Sequence, residues 1–169
     1  MSYLFSLYWG ICTLRRSPEL APSHPLFLVI VVAADIALGT LLSIILNTDV
    51  NWLQALTYVC VNLASLATAT WFLLYLKDLP QRFPATLSAI VGCDVLLSLM
   101  LFLLTLFSGD IEQPATLGLV LVIGLWGLWV TGFILHRALN LSMLVGILLA
   151  FAIYVFSVAL STAASTPVT

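Results

Sequence analysis

Five long apolar runs, each separated from the next by a few polar residues, make up most of this chain: Leu26–Leu46, Leu53–Leu76, Ala85–Phe107, Thr116–Leu135 and Leu141–Leu160. Each has roughly the 20 residues that carry a helix across about 30 Å of hydrocarbon at 1.5 Å per residue. The runs are continuous, whereas the strands of a membrane barrel alternate apolar and polar positions over about 10 residues. The pattern therefore predicts an all-α integral membrane protein: a five-helix transmembrane bundle with an N-terminal interfacial helix ahead of it.

The breaks between runs read as loops. Asn47–Asn51 is a short polar turn, and Lys77–Pro84 holds two prolines, the second placed to open the third crossing with a pre-set φ. Ser108–Pro114 follows the same logic before the fourth. His136–Asn140 is expected to be a tight turn, because one helix from Thr116 to Leu160 would be about 67 Å long. Residues 1–16 are too short to span, lack a small-residue cleavage site, and carry Arg15 and Arg16 after their aromatic stretch, the reverse of a signal peptide. An interfacial helix fits the Tyr and Trp content; docking on another protein is the competing reading. Ser17 can cap a short turn, Pro18 can start it and Glu19 can face its positive end, while the later prolines stiffen the connector. His24 is expected at the surface. The organisation is thus 1–25 interfacial segment and connector, 26–160 bundle, and 161–169 a flexible extracytoplasmic tail.

Composition strengthens this picture. Of 169 residues, 63% are hydrophobic and 7% charged, against about 45–50% and about 25% in soluble domains. So small a domain cannot hide that much apolar side chain from water. Its size suits one bundle, not two domains. A net charge of −2 argues for no nucleic-acid partner, and no basic run is long enough for a strong lipid anchor. Membrane lipids and other membrane proteins, or further copies of this chain, are the expected partners. Arg15, Arg16, Lys77, Arg82 and Arg137 all fall on one side of a five-crossing layout, while Asp49, Asp110 and Glu112 fall on the other. By the positive-inside pattern the N-terminus is cytoplasmic and residues 161–169 lie outside, and the minimal loops suit a bacterial inner membrane.

Two residues break the hydrophobic rule. Asp35 and Asp94 each lie nine residues into a helix that starts on the basic side, about 13 Å deep. Ionised carboxylates at that depth are costly, so both should face the bundle interior, and if their helices are neighbours they can share a proton. Thr68 and Thr70 bracket the same layer, Ser98 sits one turn beyond Asp94, and the indole of Trp126 can donate to a carboxylate. Asn62 and Tyr154 lie nearer the outer side and can extend a polar track. No basic residue lies within the runs. The acids are therefore either polar glue between helices, worth about 0.6–2 kcal/mol per contact, or part of a proton or cation path, or a recognition site for another membrane helix.

Other features carry less chemistry. Cys12, Cys60 and Cys93 sit in apolar contexts without a CxxC pair and read as buried small hydrophobes. Gly39/Ser43, Ser88/Gly92 and Gly146/Ala150 are small-xxx-small pairs, and the fourth run carries Gly124, Gly127 and Gly132; all allow close helix approach. Trp126 and Trp129 are too deep for a simple belt, whereas Trp52 and Tyr58 read as belt residues. The acids lack the glycine-flanked context of the presenilin-like and prepilin-peptidase families, and they lie inward, unlike those of the lipoprotein signal peptidase. There is no HExxH, GxSxG or phosphate loop, and no metal or cofactor motif. Enzyme activity and cofactors are therefore not expected. In its cytoplasmic N-terminal part and five crossings the layout resembles the Yip-like membrane proteins, which implies an accessory or membrane-organising role. The expected function is a non-catalytic membrane subunit that assembles with itself or with other membrane proteins. The alternative is proton- or cation-conducting or coupled transport through Asp35 and Asp94.

Overall fold

The computed structural model describes residues 2–22, 24–46, 50–108 and 114–165, and every regular element among them is helical. The helices are α1 (Ser2–Cys12), α2 (Pro25–Leu46), α3 (Trp52–Leu76), α4 (Phe83–Ser108), α5 (Pro114–Leu139) and α6 (Met143–Ser165). Short 3-10 turns at Pro18–Leu20 and Pro80–Arg82 lead into α2 and α4. Helices α2 to α6 are long and apolar enough to cross a membrane, the length and composition of a multi-pass membrane protein. Its outer surface agrees: Leu26, Phe107, Leu121, Leu125 and Leu144 are each more than 60% exposed. Such a girdle is an association hazard in water and an ordinary boundary in lipid.

The five long helices close into a ring. Around it the order is α2, α4, α5, α6, α3 and back to α2, so α2 touches both α3 and α4, and α3 packs along α6. Two glycines set the closest approach. A Cβ on Gly132 would stand 2.8 Å from the Ile147 Cα, and one on Gly146 would run into the Gly132 carbonyl and the His136 backbone. Here α5 and α6 meet backbone to backbone. At Gly127 a Cβ would come within 3.2 Å of Leu97, while Gly118 and Gly124 face open space.

Several boundaries differ from the expected ones. The stretch His136–Leu139 belongs to α5, and the turn shrinks to Asn140, Leu141 and Ser142. Asn140 adopts φ 51°, and Leu141 N–H reaches back to the His136 carbonyl while the His136 ring bonds the Leu141 carbonyl. α6 runs on through Ser161 to Ser165, so the tail begins later than residue 161; residues 166–169, and with them its end, lie outside the described residues. So do Asp49, Asp110 and Glu112. α4 opens at Phe83, one residue before Pro84, and Ser17 makes no side-chain cap. Asn51 instead caps α3, in a reciprocal box with Gln54 whose Oε1 accepts the Asn51 N–H at 3.1 Å.

The ends of α1, α3 and α5 share one device. Leu14, Asp78 and Asn140 are left-handed, and the residue after each donates its N–H five residues back, Arg15 to Gly10, Leu79 to Leu74 and Leu141 to His136. Glycine is the usual residue there, because a side chain in this conformation costs about 1–2 kcal/mol. Asn140→Gly is therefore expected to raise stability and Asn140→Val to lower it by about 1 kcal/mol or more. Titration with a denaturing detergent, followed by circular dichroism, reads both.

α1 stands apart from the ring and packs on α4 and α5 at the end that carries the basic residues. Leu7, Tyr8, Ile11 and Cys12 are buried there, whereas Trp9 is 42% exposed. Its apolar face is thus covered by the protein's own bundle.

Candidate functional site

Along α2, α3 and α4 a stripe of polar or small residues recurs every four positions, the spacing that stacks side chains on one helix face. On α2 the stripe is Asp35, Gly39 and Ser43; on α3 it is Gln54, Tyr58 and Asn62; on α4 it is Asp94 and Ser98. All of them, with Thr162 of α6, line one cavity of about 670 Å³. Val59 of α3 closes on Gly39, where an added Cβ would meet it at 3.2 Å. The other walls are aliphatic, from Leu42, Leu46, Leu63 and Leu66.

The cavity is polarised along the bundle. Val50 just before α3, Gln54 in its first turn, Leu46 at the end of α2 and Thr162 near the end of α6 show that the cavity extends to the end of the bundle opposite the basic residues. Asp35 and Asp94 lie at its depth, ten and eleven residues into their helices, about 15 Å from the basic end. α2 and α4 are neighbours, and the two carboxyls line the same cavity and lie close enough to act on each other electrostatically. Asp35 is buried, at 7% exposure. Asp94 is exposed and lines the cavity. Two carboxylates this close repel strongly away from water, so the stable arrangement places a proton or another cation between them. Arg82, the basic residue nearest in sequence to Asp94, instead pairs with Glu19 at 3.4 Å and donates to the Ala138 carbonyl at 3.4 Å.

Behind the acids the bundle is filled by α1. Cys93, next to Asp94, is buried in one cluster with Cys12, and its thiol points at the Tyr8 carbonyl at 4.0 Å. Tyr8 Oη bonds Ser88 Oγ at 2.8 Å, and the Tyr8 ring lies on Gly92, where no Cβ would fit. Burial pushes the Tyr8 phenol above its usual range, which keeps it a neutral hydroxyl. Trp126 Nε1 donates to the Cys12 carbonyl at 2.9 Å, satisfying an orphan acceptor at the end of α1. Phe27 stacks on Tyr8, and Trp9 meets Trp126 edge-on.

Of the residues singled out in the sequence, Asp35, Asp94, Ser98 and Asn62 come together in the cavity. Four do not. Trp126 serves Cys12, not a carboxylate. Thr68 is exposed and bonds the Ala64 carbonyl at 2.7 Å, and Thr70 is buried with no hydrogen-bond partner. Tyr154 is 61% exposed on the outer surface. Conversely Tyr58, read as a belt residue, lines the cavity, and Cys60 is exposed, not buried. Among the described residues no group of His, Cys, Asp and Glu could hold a metal ion as a cluster of three or more.

No protein family, no curated protein and no solved structure matches this chain. The functional reading therefore rests on the cavity and the acid pair.

Proposed function

We propose that this protein passes protons or small cations through the membrane, with Asp35 and Asp94 as the shared carrier site. The observation that carries the reading is the placing of the two acids on one cavity with Gln54, Tyr58, Asn62 and Ser98, and with no Lys or Arg among its lining residues. Helix glue would need only the contact. It would not need the stripe Gln54, Tyr58, Asn62 and Ser98 leading to it. A cation entering the mouth would exchange water for these amides and hydroxyls and then for the carboxyls, losing little of its coordination on the way. In this reading the basic end faces the cytoplasm and the cavity mouth faces the outside, in a bacterial inner membrane. The N-terminal helix would then sit at the cytoplasmic ends of α4 and α5. No step requires covalent chemistry or a cofactor.

The test is to close the cavity from outside. In a Cys60→Ser background, Ser98→Cys treated with an impermeant methanethiosulfonate is expected to lose proton or cation flux by about tenfold or more, because a bulky group then fills the route. Confirmed labelling with unchanged flux would rule out the cavity as the path.

A second reading keeps the protein as an assembly subunit, favoured by one surface. Along α5, Gly118 and Gly124 have open space around them, between exposed Leu117, Leu121 and Leu125. A neighbouring helix would approach closely there. Native mass spectrometry in a gentle detergent is expected to show a homo-oligomer or a co-purifying partner on this reading, and a strict monomer would count against it.

A further inference from the structure

We infer that α1 is the gate on the basic side of the acid pair, opening by withdrawal of Tyr8 and Cys12 from α4; this deepens the proposed pathway and rests on it. The ring of α2 to α6 closes without α1, so α1 can leave without breaking a helix–helix contact of the ring. What α1 does is fill the space between the acids and the basic end. Cys12 shares a buried cluster with Cys93, the residue before Asp94, whose thiol points at the Tyr8 carbonyl at 4.0 Å, and Tyr8, Leu7 and Ile11 fill the level of Ser88 to Gly92.

The attachment of α1 suits a part that moves. Its polar holds on α4 and α5 include the Tyr8–Ser88 bond, the Trp126 bond to the Cys12 carbonyl and the long contact of the Cys93 thiol with the Tyr8 carbonyl. Its connection to α2 runs through residues 13–24, beginning at Leu14 with φ 62°, a strained position for leucine. That connector is itself tied down by Glu19 to Arg82, so α1 would swing about Leu14 and leave the connector in place. Gly92 is the seat: any side chain there collides with the Tyr8 ring.

The gate is tested by tethering it and by unseating it, in protein carrying Cys60→Ser and reconstituted in liposomes. Bridging Cys12 to Cys93 with dibromobimane, which alkylates both thiols and needs no oxidant, is expected to lower flux by about tenfold or more, as holding one conformer does when transport needs two. Cys93→Ser should be insensitive to the reagent. Bridged protein, confirmed by its mass, that conducts at the unbridged rate would overturn the gate while leaving the pathway standing. The second arm does not depend on flux. Gly92→Ala is expected to raise the rate at which an impermeant maleimide on the basic side labels Cys93 by about tenfold, the effect of shifting a closed–open equilibrium by one decade. Tyr8→Ala, which removes the ring without adding an atom, should do the same and serves if Gly92→Ala fails to fold. Cys93 labelling as slow in both variants as in the parent would overturn the gate, even if no flux were found in any of them.

Discussion

Asp94→Asn and Asp35→Asn should each abolish proton or cation flux and leave the bundle folded. An amide keeps an acceptor and gains two donors, so it can still hydrogen-bond where the carboxyl did. It removes a charge-bearing group from a site where charge is expensive, and the stability change should stay within about 1 kcal/mol. What the amide cannot do is take up and release a proton near neutrality or neutralise a bound cation. Removing a proton-transfer group typically slows transfer by about 100-fold or more, and that is the loss expected here. The combination matters: normal circular dichroism and normal detergent midpoint with flux at background. If the acids were only glue, both asparagine variants would conduct as the parent does. Asp→Leu is a poor choice, since it removes the hydrogen bond and the charge together and harms either model.

Gly146→Ala should be among the most damaging single-atom additions in the protein. The new methyl would run into the Gly132 carbonyl and into His136, at 2.9 Å from its Cβ and 3.0 Å from its backbone nitrogen. Two of those three atoms are backbone of α5, so the clash cannot be relieved by a rotamer change, and the helices must move apart. Overpacking typically costs about 1–3 kcal/mol, and a rigid backbone partner puts this site at or above the upper end. Separation would also loosen the turn at Asn140, where His136 bonds Leu141. Gly124→Ala, on the open face of α5, is the control. Nothing lies within 4 Å of its added Cβ, and replacing glycine in a helix is worth up to about 1 kcal/mol in favour of alanine. Unfolding of both in a denaturing detergent should separate them clearly. A Gly146→Ala protein as stable as the parent would mean that α5 and α6 do not touch as described.

How much of this could be read beforehand depended on which quantity the sequence encodes. The five long helices were legible because each apolar run is continuous and of membrane length. The depth of Asp35 and Asp94 was legible too, since counting residues from a helix end gives height directly. Height does not give facing. Thr68 and Thr70 flank the right layer but turn away from the cavity, and Tyr154 points outward, because a helix that is apolar all round offers no polar face to orient it. The four-residue ladder Gln54, Tyr58, Asn62 was the available signal for facing, and Tyr58 was instead assigned by its nearness to the helix end. His136 and Arg137 read as turn residues because they are polar. They are in fact the last turn of α5, a favourable place for basic side chains at a helix C-terminus. The partner of Trp126 was out of reach, since the contact joins residues 114 positions apart and requires α1 to dock on its own bundle.

The central claim is tested most directly by purified protein in liposomes holding an internal pH dye, under an imposed voltage. The account predicts proton or cation movement well above that of empty liposomes, lost in the double variant Asp35→Asn/Asp94→Asn. A leak no greater than that of empty liposomes across pH 5–8 (roughly the range in which membrane acids and histidines can titrate), or a flux unchanged in the double variant, would contradict it.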